Sequence, residues 1–312
     1  MDTNTPTPAA PAAEQLKTFW GKLLASTPIA MTVVATLLAG LSSSEMTRAQ
    51  YDRSLAAQQQ SKIGDQWSFF QAKRLRGASL RANLQLLQAT TDLDPLTADS
   101  LRQLTGGAGT DTNLASAINV LARGELPSLK PTSTIGPEIK ASLETIAAGK
   151  TDAEVMALLG KVPPAAVAAA IRSAQEDSRA FETVTSPITQ HIEGLEKQLS
   201  DRRSAAREAF RSLGRAFTAA RLRYDSLRYD AEARYNRVIA ELYDLQVRQS
   251  NSSAERHYLR SERFFYGMLG AQAAVLLASF GLAVQRRNML WTLAALLGLA
   301  AVGFGIYVYL YI

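Results

Sequence analysis

The fold is decided near the end of the chain by three consecutive stretches: FFYGMLGAQAAVLLASFGLAV at residues 264–284, QRRN at 285–288 and MLWTLAALLGLAAVGFGIYVYLYI at 289–312. The first and third stretches hold 21 and 24 residues without a charged side chain. A bilayer core about 30 Å thick needs about 20 helical residues at a rise of about 1.5 Å each. The three stretches therefore predict two transmembrane helices joined by a short basic turn.

A further uncharged run, residues 23–41, lies near the start of the chain and predicts another transmembrane helix. Because proline suits the first turn of a helix, we expect this helix to begin at Pro28 with Ser26 or Thr27 as its cap. A cleaved signal peptide is the alternative, but the 22 residues before the run favour a retained span. Residues 1–22 are predicted to form a short disordered tail.

The basic residues that flank the spans predict the orientation. Arg286 and Arg287 occupy the short turn between the last two spans, and short basic loops favour the cytoplasmic side. With three spans, the N-terminus is then also cytoplasmic, and the middle region is periplasmic. Five arginines that flank the spans on the other side favour the reverse orientation, but they belong to a loop of more than 200 residues, which carries less weight. These are Arg48, Arg53, Arg256, Arg260 and Arg263.

Between the spans, the sequence predicts a stalk of two helical arms, at residues 42–90 and 186–263. We expect the second arm to begin with Ser186 as N-cap and Pro187 as first helical residue, and to bend near residues 251–253. Its apolar residues recur every three to four positions, as in a coiled coil. The main members of this seam are Phe210, Leu213, Phe217, Tyr224 and Leu227. The predicted fold is all-α, with three transmembrane helices, a long antiparallel coiled-coil stalk and a small helical head.

The stalk is predicted to self-associate. A single pair of long helices buries too little surface to be stable alone, so we expect neighbouring copies to complete the seam and form a homo-oligomer. Small residues, which let transmembrane helices approach closely, recur at four-residue spacing in the last two spans. They are Gly270, Ala274 and Ala278 in one span, and Ala294 and Gly298 in the other.

Residues 91–185 differ in composition from the arms and predict a head of short helices. Thr151 and Glu154 fit a capping box that opens a helix ending at Leu159. A longer helix is expected from Pro164 to Phe181. Because turn residues bound the head and neither arm's seam depends on it, we expect the head to be dispensable for membrane insertion.

The composition excludes several kinds of chemistry. The chain has no cysteine and two histidines, His191 and His257, so disulfides, thiolate metal sites and cysteine nucleophiles are excluded. The sequence offers no nucleophile–base pair and no metal-ligand spacing, so we expect no catalytic residues, no cofactor and no metal. The net charge of +6 is spread over arginines interleaved with acids, which favours a solvated face over binding of nucleic acid.

One segment of the first arm resembles a known family. The sequence GDQWSFFQAK at residues 64–73 is similar to the (S)DQWAFYQAK signature of a bacterial domain-of-unknown-function family of small inner-membrane proteins. The resemblance covers roughly residues 20–85 and 235–312, and it implies bacterial origin, one N-terminal span and a C-terminal transmembrane hairpin. The family supplies no activity, and it has no counterpart of the head. We expect its core residues to be structural: Asp65, Gln66, Trp67, Phe70 and Gln71. Trp67 is expected to pack against the second arm, and Asp65 and Gln66 are expected to bond to facing polar groups.

These observations favour a non-enzymatic structural or scaffold protein of the bacterial inner membrane. It would contact membrane lipids, self-associate and serve as an accessory subunit of a larger membrane complex. The alternative is an oligomeric channel or transport-related protein. The spans carry no Asp, Glu, Lys, Arg or His, one of which an ion pathway normally needs, so the channel is the weaker interpretation.

Overall fold

The computed structural model of the protein describes residues 19–104, 111–128, 135–203, 208–283 and 287–311. Within these residues the chain forms α-helices and no β-strand, which confirms the all-α prediction. The helices are α1 (Phe19–Thr90), α2 (Ala98–Leu104), α3 (Thr112–Arg123), α4 (Pro137–Ala147), α5 (Asp152–Leu159), α6 (Pro164–Arg203), α7 (Glu208–Ala283) and α8 (Arg287–Tyr311).

The chain divides into two compact units. The span unit comprises residues 1–55 and 250–312, and the polar unit comprises residues 56–249. Helices α1 and α7 contribute residues to both units, α8 belongs to the span unit, and α2 to α6 belong to the polar unit.

Three helices of the described chain, α1, α7 and α8, are long and apolar enough to cross a membrane, as the sequence predicts. In the span unit, α1 and α8 run parallel, because Met31 lies against Gly298 and Leu38 lies against Gly305. Helix α7 runs in the opposite direction. Its Ala271 packs with Ala35 and Ala301, and its Phe264 packs with Leu38 and Val308. The span unit is therefore an up-down-up bundle of three helices.

The small residues of the last two spans lie at these contacts within one chain. Ala274, Ala278 and Ala294 are buried, and an added methyl group at Gly270 would lie 3.6 Å from Ala301. Because only a small side chain allows helices this close together, the spacing noted in the sequence serves the packing of one bundle.

Helix α1 does not begin at Pro28, as we had expected from the sequence. It begins at Phe19 and contains Pro28 in its interior. Proline in a helix interior removes one backbone hydrogen bond. The following turns add side-chain bonds, because the hydroxyl of Thr32 donates to the carbonyl of Pro28 and that of Thr36 donates to Thr32.

The polar unit has two apolar cores. The first core gathers residues of α1, α4, α5, α6 and α7 around Val155, Val167 and Leu242. The second gathers residues of α2, α3, α6 and α7 around Leu101, Phe217 and Tyr224. The predicted capping box is confirmed: Thr151 accepts from the Glu154 backbone, and the Glu154 side chain accepts from the Thr151 backbone. Helices α5 and α6, which meet at an angle of 90°, are together also long and apolar enough to form one broken span.

The predicted start of the second arm is wrong, because Pro187 lies inside α6, which runs without interruption from Pro164 to Arg203. The apolar face of α6 explains the error, because Phe181 before the proline and Ile188 after it are both buried. Burial on both sides of Pro187 offsets the hydrogen bond that the proline removes. Residues 251–253 lie inside α7, so the helix is not broken there, and a bend at this point remains a prediction.

The seam of the second arm is covered by helices of the same chain. Phe217 and Tyr224 are each 1% exposed, and they pack against α2, α3 and α6 in the second core. The seam therefore does depend on residues 91–185, contrary to our expectation, whereas the dispensability of the head for membrane insertion remains a prediction. The argument that neighbouring copies must bury this seam also loses its basis.

Helices α1 and α7 run antiparallel within the polar unit. Lys62 lies over the ring of Tyr243, Lys73 pairs with Glu232, and Arg76 lies over the ring of Tyr229. An antiparallel arrangement follows from these pairs, because residue numbers fall along α7 as they rise along α1. The coiled-coil character of the pair remains a prediction.

Candidate functional site

A cleft of about 500 Å³ opens in the polar unit between α1, α6 and α7. This volume lies within the range of small-molecule sites. Helix α1 contributes two residues of the family-like segment, Phe69 and Lys73. The other lining residues are Ser178, Phe181, Glu182, Thr185, Ser186, Thr189, Gln190 and Glu193 of α6, with Arg228, Glu232 and Asn236 of α7.

An ionic network forms one wall of the cleft. Glu232 accepts from the Lys73 ammonium and, at 3.0 Å, from Nη1 of Arg228. Nη2 of Arg228 donates to Asp225 at 3.2 Å. Burial lowers the pKa of the Arg228 guanidinium, but the carboxylates of Glu232 and Asp225 raise it by more, so the net shift is upward. Both cations of the wall, Lys73 and Arg228, are therefore already paired with carboxylates.

Tyr229 lies beside this network and gathers the same cations around its ring. Arg228 lies 4.5 Å, Lys73 5.3 Å and Arg76 6.0 Å from the ring centroid. A cation over an aromatic face is attracted by the ring quadrupole. Tyr229 therefore provides one aromatic ring that cationic side chains of both α1 and α7 contact.

The α6 wall of the cleft is a polar stripe of different character. Thr185 and Thr189 use their hydroxyls inside the protein, since each donates to a carbonyl one turn earlier and Thr189 also bonds the hydroxyl of Tyr224. Glu182 and Glu193 are exposed, and neither forms an ion pair with any residue that the structure describes. The unpaired charge of the cleft is thus negative and lies on α6.

A second polar link, between α3 and α6, involves one of the two histidines. Nδ1 of His191 donates to the carbonyl of Pro187 at 2.8 Å, and Nε2 lies 2.8 Å from Oδ2 of Asp111. Asp111 also caps α3 by accepting from the backbone of Asn113 and Leu114. The bond to Pro187 and then the bond to Asp111 raise the pKa of His191, while the bond from His191 lowers the pKa of Asp111.

The family-like residues lie on α1, mostly beside the first core. Trp67 packs against that core and meets Phe70 edge-on, with ring centroids 5.3 Å apart. Asp65 and Gln71 are exposed, and Oε1 of Gln66 is buried without a hydrogen-bond partner. The hydrogen bonds that we had expected for Asp65 and Gln66 are therefore absent from the described part of the chain. The structural role of the motif remains a prediction.

The remaining predicted residues lie in three places. Leu213 packs on the second core beside Phe217 and Tyr224, and Leu227 is half-buried. The side chain of Phe210 and the whole of Arg286 lie outside the described residues, whereas Arg287 is the first residue of α8.

In the span unit, polar side chains of α1 and α7 contact each other just beyond the ends of the apolar runs. The hydroxyl of Ser42 donates to the carbonyl of Ser261 at 2.9 Å, and that of Ser261 donates to the carbonyl of Ser42 at 2.8 Å. Glu45 and His257 pair one turn away. Gln272, within the predicted second span, is exposed on the outside of the bundle rather than buried between its helices.

Sequence reasoning missed the cleft and its ionic wall. Arg228 and Glu232 are four positions apart on α7, which is a signal for a helix-surface pair, but sequence alone does not show which face of α7 meets α1. Lys73 was part of the family-like segment, although its partner lies 159 positions away. Among the described residues, no group of three or more His, Cys, Asp and Glu could hold a metal.

Comparison with known proteins gives one match. A protein-family model with the description "Domain of unknown function (DUF4337)" matches residues 20–106. The chain is thus similar to an uncharacterised family over a segment that contains the cleft residues Phe69 and Lys73. No curated protein and no solved structure matches the chain.

Proposed function

We propose that the protein is a non-enzymatic structural protein of the bacterial inner membrane, anchored by three spans and carrying the polar unit outside the bilayer. The observation that carries this proposal is the span unit, whose interior is closely packed and whose surface is apolar. Large side chains such as Val33, Leu276 and Leu299 are exposed there. Such a surface is typical of a bundle in contact with lipid.

Self-association and membership of a larger membrane complex belong to the same proposal. The exposed apolar surface of the spans supports self-association better than the seam does, because Phe217 and Tyr224 of the seam are already buried within one chain. The span unit also has an apolar groove of about 320 Å³ between α1 and α8. Membrane lipids and further copies of the chain are the proposed partners, and nucleic acid is not.

The mass of the detergent-solubilised protein tests this proposal. Ile306 lines the groove and is exposed, so Ile306→Trp should reduce the assembly to a smaller species. Leu276→Trp, equally exposed but on α7 outside the groove, is the matched control and should leave the mass unchanged. A monomeric wild-type protein would contradict self-association, and release of the protein from membranes by alkaline carbonate would contradict anchoring.

A further inference from the structure

We propose that the cleft between α1, α6 and α7 binds an elongated aliphatic polycation of the polyamine class. The proposal is independent of the structural function above. It rests on the unpaired charge of the cleft, the spacing of that charge along α6 and the exposed ring of Phe69.

The charge of the lining selects a cation. Lys73 and Arg228 are the two cations, and both are paired with Glu232. Glu182 and Glu193 have no ionic partner among the described residues, and both are exposed. An anion entering the cleft would have to displace Glu232 and approach two further carboxylates, whereas a cation meets two that are free.

The spacing of the two carboxylates selects an elongated ligand. Glu182 and Glu193 are eleven positions apart, so they share one face of α6 and lie about 16 Å apart along its axis. A compact monoamine cannot reach both. An extended chain of about a dozen single bonds, each about 1.5 Å long and zigzagged, spans that distance with an ammonium at each end.

The middle of the cleft suits methylene groups and secondary amines. Phe69 from α1 is 53% exposed at the opening, so its ring face is available to a passing alkyl chain or cation. Ser186 and Gln190 lie between the two carboxylates on the same face of α6 and are also exposed. These groups can accept hydrogen bonds from internal ammonium groups.

The test is calorimetric titration of the full-length protein, purified in a zwitterionic detergent, with spermine, putrescine and inorganic phosphate. Spermine should bind at one saturable site, and the shorter putrescine should bind at least about tenfold more weakly, because it loses one charge-assisted contact. Phosphate should not bind. Glu182→Gln and Glu193→Gln should each weaken spermine binding by about tenfold for the same reason.

Glu176→Gln is the matched control, because it removes the same charge from an exposed position of α6 outside the cleft. It should leave spermine binding unchanged. The absence of saturable spermine binding would overturn the proposal, and so would phosphate binding in its place. An equal loss of spermine affinity in Glu182→Gln, Glu193→Gln and Glu176→Gln would indicate diffuse attraction to an acidic surface and would overturn the proposal as well. Far-UV circular dichroism of each variant checks that the helices remain intact.

Discussion

At the scale of single residues, the second core of the polar unit encloses two aromatic side chains of α7, Phe217 and Tyr224. Tyr224 is buried, and its hydroxyl bonds that of Thr189 at 3.0 Å, which satisfies the polar end of an otherwise apolar side chain. Phe217 is buried in the same core. Both residues look like parts of an oligomer seam in the sequence, yet each is enclosed by helices of its own chain.

Phe217→Ala should therefore destabilise the fold of the polar unit. Removal of a fully buried phenylalanine side chain leaves a cavity and lowers the free energy of unfolding by about 3–5 kcal/mol. Leu75→Ala is the control, because Leu75 is 71% exposed and its replacement should change stability by less than about 0.5 kcal/mol. The measurement is the urea dependence of resistance to proteolysis. Equal resistance of the two variants would show that the core is not formed as described.

His191 should titrate above the ordinary histidine pKa of 6.5, because its bonds to Pro187 and Asp111 both favour the charged ring. The stabilisation from the charged ring is fully present below 6.5 and is lost as the pH rises through the raised pKa. The stabilisation that the charged carboxylate of Asp111 contributes is lost as the pH falls through the pKa of Asp111, which is lowered from 3.8. The link is thus strongest between about pH 4 and pH 6.5.

An NMR titration of the two histidines measures this shift. Asp111→Asn should move the pKa of His191 downward, since the negative charge beside the ring is lost. Asp99→Asn, which removes an exposed carboxylate of α2 paired with Arg102, should leave it unchanged. A His191 pKa at or below 6.5 in the wild-type protein would show that the ring does not bridge the two helices.

At the scale of elements, the two glycines of α1 within the polar unit have different surroundings. A methyl group at Gly64 would meet nothing within 4 Å. At Gly77 it would lie 2.9 Å from Oδ1 of Asp230 and 3.3 Å from the backbone carbonyl of Ser226. The carboxylate can move, but the carbonyl belongs to the α7 backbone, so α1 and α7 approach each other closely because position 77 is glycine.

Gly64→Ala and Gly77→Ala should therefore have opposite effects on stability. Alanine favours a helix over glycine by roughly 0.5–1 kcal/mol, so Gly64→Ala should raise the temperature of thermal unfolding. Gly77→Ala gains the same propensity but forces the helices apart, and it should lower that temperature. Circular dichroism of both variants in one detergent makes the comparison. A similar increase for both would contradict the close approach of α1 and α7.

Sequence patterns predicted the elements better than their ends. The uncharged runs predicted the three span helices because length and lack of charge are local properties, and the capping box at Thr151 was predicted for the same reason. The helix boundaries at Pro28 and Pro187 were wrong because a helix can continue through a proline at the loss of one hydrogen bond, and burial on both sides of Pro187 offsets that loss. The cleft was missed because its walls come from helices whose relative faces no local pattern specifies.

At the scale of the whole molecule, the proposed topology depends on α7 crossing the membrane once. The parallel α1 and α8, with α7 antiparallel to both, form a bundle in which each span reverses the direction of the previous one. The proposed three-span anchor therefore requires the polar unit and the turn at residues 285–288 to lie on opposite sides of the membrane. The basic residues of that turn predict that it faces the cytoplasm.

Cysteine labelling tests this requirement most directly, because the chain has no cysteine of its own. Leu75→Cys introduces one exposed thiol in the polar unit, and Asn288→Cys introduces one at the end of the turn, where α8 begins. In intact bacterial spheroplasts, a maleimide that cannot cross membranes should label Leu75→Cys at once and Asn288→Cys only after permeabilisation. Labelling in the reverse order would invert the predicted orientation, whereas labelling of both thiols from the same side would contradict the three-span anchor itself.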